Sequence, residues 1–208
     1  MARDRSRGPE RGRGRGDDAH AARDRVGIAQ TAARLIAEHG LTDWSLAKRK
    51  AARQLMLPDS TAMPSNDEIE AALLSHHALF GSEAHAGSLR AQRREALDWM
   101  TRLAAWEPLL VGGVAAGWAT AHSDVRLELV ADDPKAVEMA LAGAGVAYSA
   151  IPPRDGGDDG GHGAQLYVAT PGAGIRLSIL TPQQRRNRPR RDGEPRLAAN
   201  AVAALLEK

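Results

Sequence analysis

The chain contains no cysteine, which excludes a disulfide framework and any thiolate metal site. Aromatic residues make up only 3% of its 208 residues, so a core has to be assembled from small aliphatic side chains, many of them alanine. No apolar run approaches the roughly 20 residues that a membrane-spanning helix needs. The opening stretch, MARDRSRGPERGRGRG, lacks the apolar centre of a signal peptide. These absences predict a cytoplasmic protein with no membrane partner. What is present is a hydrophobic fraction of 43%, which suits one domain plus an accessory segment.

A net charge of +2 hides a segregation. Residues 1–16 carry six arginines against Asp4 and Glu10, a net +4, and residues 183–196 carry six against Asp192 and Glu194, again +4. Taking both from +2 leaves −6 on the rest. Arg/Gly-rich and Arg/Pro-rich stretches bury too little apolar surface to fold alone. They read either as solubilising tails or as segments that follow a phosphate backbone in a salt-sensitive way. Arg185, Arg186, Arg188, Arg190 and Arg191 are the nucleic-acid-binding candidates of the second segment.

The pattern between the tails predicts an α+β protein. A helical segment over 17–107 packs beside a small mixed β-sheet formed by 108–182, and 183–208 hold a basic tail and a C-terminal helix. Asp17-Asp18 cap a helix that runs to about His39 through Val26, Ala29, Ala33 and Ile36, and Gly40 ends it. A second helix, about 45–55, carries Lys48, Arg49, Lys50 and Arg53, and Pro58 stops it. Ser65 and Glu68 form a capping box for a third, which reaches about Phe80. A fourth covers about 88–106, with Leu89, Arg93, Ala96, Trp99 or Met100 and Leu103 along one side. Strands are expected at 109–114, 124–130, 146–151, 166–170 and 175–180, with a short helix opened by Pro134.

The stretch from Leu109 to Asp132, LLVGGVAAGWATAHSDVRLELVAD, carries the most chemical information. An apolar run enters a glycine pair, Gly112-Gly113, and Gly117 follows. Ser123-Asp124 then open a strand whose alternation puts Asp124, Arg126 and Glu128 on one face and Val125, Leu127 and Leu129 on the other. In this order the segment resembles nucleotidyltransferases of the DNA polymerase β type. Those proteins carry an apolar–Gly–Ser motif, a small helix, a strand beginning Asp–apolar–Asp and a third carboxylate on a later strand. Gly112, Gly117 and Asp124 fall at the spacing of the minimal members. The wider stretch, AARLIAEHGLTDWSLAKRKAARQL through PSNDEIEAAL to SDVRLELVADDPKAVEMALAGAGVAY, resembles an uncharacterised bacterial nucleotidyltransferase-like family over about residues 23–182.

The resemblance implies a Gly112-Gly113 backbone that cradles phosphate, with Ser123 beside it, and Asp124 as a catalytic ligand for Mg²⁺. The chain departs from the pattern at three places. Gly113 stands where the family has serine, Arg126 stands at the second carboxylate, and Arg176 stands where the third is expected. Two-metal nucleotidyl transfer needs carboxylates around hard Mg²⁺ ions. Replacing two of three by arginine leaves a formal +1 where the family has about −3. Glu128 lies about 13 Å along the strand from Asp124 and does not stand in for the missing ligand. Arg126 and Arg176 instead suit direct, bidentate binding of phosphate oxygens. Three readings stay open: a transferase with one or shifted metals, a degenerate site that binds nucleotide or RNA phosphate, and a structural relic.

Other signals point elsewhere. Residues 29–56 superficially resemble the start of a TetR-type helix-turn-helix, which would make the protein a DNA-binding regulator. In another reading Lys48, Arg49, Lys50 and Arg53 join the tails in gripping RNA without catalysis. Neighbouring helical residues point about 100° apart, so His76 and His77 would not share one metal. The Asp/Gly loop at 155–160 lacks the spacing of a calcium-binding EF-hand. Trp118, in the loop after the glycines, is either a core residue or a platform for a base.

Overall fold

The structure, a computed structural model, describes residues 14–81, 83–152, 163–188 and 195–207. The tail 1–13, the Asp/Gly loop at 155–160, and Arg190 and Arg191 lie outside the described residues. The fold is mixed α+β, and the chain divides into two compact units, Met1–His76 and His77–Lys208.

The first unit is helical. Helix α1 (Gly14–His39) begins three residues before the predicted acidic caps. It ends at Gly40, which takes a positive φ of 64° and donates its N–H to Ile36 O at 3.1 Å. α1 packs on α2 (Trp44–Gln54), whose N-cap is Asp43, accepting from the Leu46 N–H at 3.0 Å. Ile28, Ala29, Ala32, Ala33 and Ile36 of α1 and Ala47, Ala51 and Ala52 of α2 are buried. With alanine at most of these positions the helix axes approach closely. Val26, expected on this stripe, is 52% exposed, and Ile28 and Ala32 are buried instead.

Eleven residues separate α2 from α3 (Asn66–Phe80), too many for the short turn of a helix-turn-helix. Its capping box is formed as the sequence predicts. The Glu68 N–H donates to Ser65 Oγ at 3.1 Å, and the Ser65 N–H donates to Glu68 Oε2 at 2.7 Å.

The second unit begins within α3 and holds α4 (Glu83–Arg102), a 3₁₀ turn at Ala104–Trp106, and then the sheet. The strands are β1 (Leu109–Val111), β2 (Val125–Val130), β3 (Ser149–Ile151), β4 (Ala164–Val168) and β5 (Ile175–Leu180). Helices α5 (Gly112–Ala116), α6 (Pro134–Gly143), α7 (Pro182–Asn187) and α8 (Ala199–Leu206) complete it. The sheet order is β1-β2-β5-β4-β3; β2 and β5 are parallel, and every other pair is antiparallel.

One sheet face carries Leu110, Val125, Leu127, Leu129, Leu166, Val168, Ile175, Leu177 and Ile179. These join Ala96, Trp99, Met100 and Leu103 of α4, Val114 and Ala115 of α5, Val137 and Leu141 of α6, and Val202 of α8 in a single core. α4 belongs with the sheet in the second unit, because it packs on β1, β2, α5 and α8. The expected basic tail also starts as a helix. Thr181 and Gln184 form a capping box at 3.2 and 2.8 Å and Pro182 opens α7, so residues 182–187 are ordered by their own N-terminus. No helix among the described residues is long and apolar enough to cross a membrane.

The Ser65–Glu68 box yields a stability prediction. The Ser65 N–H, with Arg25 Nε at 3.0 Å, holds the Glu68 carboxyl below the ordinary glutamate range, although partial burial opposes this. A depressed carboxyl stabilises the fold above its unfolded pKa, and that contribution is lost as pH falls through the folded value. Ser65→Ala is expected to cost about 1 kcal/mol in urea unfolding at neutral pH. Glu68→Gln removes the depressed carboxylate instead, and its deficit relative to the parent should narrow in acid.

Candidate functional site

The sheet face opposite the core carries the candidate site residues Arg126 and Arg176. Parallel pairing sets Arg126 of β2 opposite Arg176 of β5, and antiparallel pairing sets Arg176 opposite Tyr167 of β4. Val111 of β1 faces Arg126 from the other side. Neighbouring strands lie about 4.8 Å apart, so two guanidinium side chains and a phenol stand in adjacent places in one row across the sheet. A second row holds Leu109, Glu128, Ser178 and Gln165.

Asp124 immediately precedes β2 at the end of the first row. Its Oδ2 accepts from Arg176 Nη2 at 3.3 Å, and about 30% of each side chain is exposed. Asp124 sits over the turn before β5: a Cβ added to Gly174 would fall 2.5 Å from Asp124 Oδ1 and against the Tyr167 hydroxyl. Only glycine leaves room there. The turn is held in turn by α4. Glu95 accepts from the Thr170 hydroxyl and from the Ala173 N–H at 3.1 Å. The Gly174 carbonyl then receives the Val125 N–H at 2.8 Å, fixing the start of β2 beside the start of β5.

The glycine pair divides into two roles. Gly112 has a φ of 70°, and the Arg126 side chain lies along it, with Cδ 3.1 Å from where a Cβ would be. The structure thus brings Gly112 and Arg126 together. Gly113 is buried, and a Cβ there would meet the Trp118 ring at 2.7 Å. This is a physical reason for glycine where the resembling family has serine. Trp118 is 9% exposed and fills the space over Gly113, so the candidate base platform is a core residue.

Ser123 belongs to a turn. Its Oγ accepts the Thr120 N–H at 3.0 Å, and its own N–H donates to the Thr120 carbonyl at 3.0 Å. Gln92, 4% exposed on α4, anchors this turn by donating to the Thr120 and Ser123 carbonyls at 2.8 and 3.1 Å. Arg93 donates from Nε to the Val114 carbonyl at 3.1 Å, and burial pushes its guanidinium below the ordinary arginine value. Burial also lowers His85, with Arg93 acting in the same direction against a hydrogen bond to the Gly117 backbone.

The basic candidates are distributed. Arg185 donates to Glu107 Oε2 at 3.2 Å, and Arg186 is exposed on α7. Arg188 is ion-paired to Glu128, which is 1% exposed. Glu128, about four residues from Asp124, is therefore the anchor that brings the chain after α7 back onto the polar face. Lys48, Arg49, Lys50 and Arg53 belong to the first unit; Arg49, Lys50 and Arg53 are exposed, and Lys48 donates to Asn66 Oδ1 at 2.8 Å.

The residues present do not fit the Mg²⁺ that the resemblance implies. The one carboxylate in the row is bonded to Arg176, and its other neighbours are Arg126 and a phenol. Among the described residues no three His, Asp or Glu side chains gather into a metal-binding group. No protein-family model and no curated protein matches the chain.

Sequence reasoning missed Tyr167, Gln92, Glu95 and Gly174. Alternation along β4 puts Tyr167 on the polar face, but its place beside Arg176 depends on a strand pairing that the sequence alone does not supply.

Two substitutions test this framework. Gly113→Ser drives a side chain into the Trp118 ring and is expected to cost about 1–3 kcal/mol. Adding Trp118→Leu should recover part of that loss in a double-mutant cycle of urea unfolding. Removing the charge in Arg188→Met leaves the buried Glu128 carboxylate uncompensated, an expected loss of about 3–5 kcal/mol. The pair Glu128→Gln with Arg188→Met should restore most of it. A single variant as stable as the parent would refute the buried pair.

Proposed function

We propose that this is a nucleotidyltransferase-like protein that binds nucleotide or nucleic-acid phosphate and does not carry out metal-dependent transfer. The observation that carries the reading is the row itself. Arg126 and Arg176 are register partners on the polar face of β2 and β5, beside the Gly112 turn, with a single carboxylate among them. A guanidinium presents donors in a planar fork that matches phosphate oxygens, and two forks side by side can hold one phosphate group from two directions. The strand order supports the resemblance in fold: glycine turn, small helix, Asp-bearing strand and a later parallel strand at its side. The loss of the acids at the second and third positions is what separates this site from a catalytic one.

A second reading draws on the first unit. Arg49, Lys50 and Arg53 are exposed on α2, while Ala47, Ala51 and Ala52 of the same helix are buried. A basic helix face of this kind can follow an RNA backbone, with or without the site on the sheet.

Equilibrium binding separates the two. For the sheet site, a fluorescent ATP analogue is expected to bind the parent and to lose about tenfold or more in affinity in Arg126→Ala or Arg176→Ala. Labelled nucleotide should not be incorporated with Mg²⁺ or Mn²⁺. Incorporation that disappears in Asp124→Ala would overturn the non-catalytic reading. For the helix, replacing Arg49, Lys50 and Arg53 together by alanine should flatten the salt dependence of single-stranded RNA binding by up to about 2 in the log–log slope. It should leave ATP binding unchanged.

A further inference from the structure

We infer that the site takes its phosphate group as the metal-free anion, and that the incoming anion displaces Asp124 from Arg176. This rests on the reading of the Arg126–Arg176 row as a phosphate site and adds what form of ligand it selects.

The selection follows from the groups present. Mg²⁺ seeks oxygen ligands, above all carboxylates, and holds them in octahedral geometry. Asp124 supplies the one carboxylate of the row, and its Oδ2 is bonded to Arg176. Glu128 is 1% exposed and accepts from Arg188 through Oε1, and Glu95 accepts from the Thr170 hydroxyl and the Ala173 N–H. A magnesium–polyphosphate complex would bring a divalent cation toward two guanidinium groups, and the carboxylate of the row, Asp124, is already bonded to one of them. The metal also cancels part of the phosphate charge and occupies oxygens that the arginines would otherwise hold. Free phosphate has neither disadvantage.

The displacement follows from how Arg176 uses its fork. Nε and Nη2 form the side-on edge of a guanidinium, the edge that grips an oxyanion with two parallel bonds. Here Nη2 alone reaches Asp124, at 3.3 Å, and Nε is buried without a hydrogen-bond partner among the described residues. The pair is a one-bond contact on a two-bond edge. A phosphate group with several oxygens can satisfy both donors and also face Arg126, whereas Asp124 lies close over Gly174 and meets Arg176 through Nη2 alone. Asp124 therefore acts as an internal competitor that occupies the donor edge until an anion replaces it.

The full chain, titrated with ATP by calorimetry, tests this in EDTA and in excess Mg²⁺ at constant ionic strength. Binding is expected to be tighter in EDTA. Asp124→Asn, which removes the competing charge at constant shape, should tighten metal-free binding by up to about fivefold, the worth of a half-exposed ion pair. Arg176→Lys keeps the charge but loses the fork and should weaken it about tenfold. Thermal unfolding of each variant checks that it is folded. Binding that Mg²⁺ tightens in the parent and not in Asp124→Asn would overturn the inference and make Asp124 a metal ligand. An Asp124→Asn affinity no better than the parent's would overturn the displacement, and full affinity in Arg176→Lys would overturn the fork. Each of those results leaves a phosphate site in place. Absence of ATP binding in every condition would instead sink the phosphate-site reading, and this inference with it.

Discussion

The register between β2 and β5 is the constraint on which the second unit depends. It pairs Val125, Leu127 and Leu129 with Ile175, Leu177 and Ile179 on one face, and Arg126 with Arg176 on the other. A slip of one residue would turn an arginine or Glu128 into the core and an aliphatic side chain onto the polar face. The apolar half of the arrangement fixes the polar half. The core therefore positions the two arginines with a precision that two like charges would never choose for themselves. Side by side they repel, and Asp124 offsets part of that cost by bonding to one of them.

The remaining parts of the site serve that register. Glu95 and Gln92 reach from α4 to the turns before β5 and before β2, so one helix holds the entry of both parallel strands. α4 also lays Ala96, Trp99, Met100 and Leu103 into the core. Its apolar side thus anchors it, while its polar side sets the two loops. Gly174 allows Asp124 and Tyr167 to approach over the turn, and Gly112 lets the chain reverse beneath the Arg126 side chain. Each glycine is required by a named neighbour rather than by general flexibility.

Much of this was legible in the sequence, and the rest was hidden for identifiable reasons. Strong local signals carried the elements. The Ser65–Glu68 box, Gly40 after α1, Pro134 before α6 and the alternation through 125–130 all act over a few residues and appear where expected. The limits of β1 did not, because Gly112 turns the chain at the point where the apolar run continues into Val114. The order of α7 was missed because a run of arginines outweighed a Thr-Pro-Gln-Gln start, although that start is itself a capping signal. At the site, alternation along one strand gave the face shared by Asp124, Arg126 and Glu128. It gave no neighbour on any other strand, so Tyr167 and the place of the Pro171–Gly174 turn beside Asp124 stayed out of view. Trp118 was ambiguous for a similar reason: its burial over Gly113 depends on how α5 packs, which periodicity over five residues does not encode.

The proposed phosphate site differs in charge from the carboxylate site of the family that the sequence resembles. A carboxylate triad is stable only with its cations, because three like charges in a row destabilise the face they stand on. Putting arginine at two of the three positions removes that dependence. Asp124 and Arg176 satisfy each other in part, Glu128 takes Arg188 from the chain after α7, and the formal charge of Asp124, Arg126 and Arg176 together becomes +1. The three side chains then offset one another in part without a metal. Electrostatics of that sign disfavour a two-metal centre, since each added Mg²⁺ would raise the local charge of these three groups instead of neutralising it. The same electrostatics attract an oxyanion at no cost in metal binding. In the proposed reading, the charge that disfavours a two-metal centre is thus the same charge that favours a phosphate group.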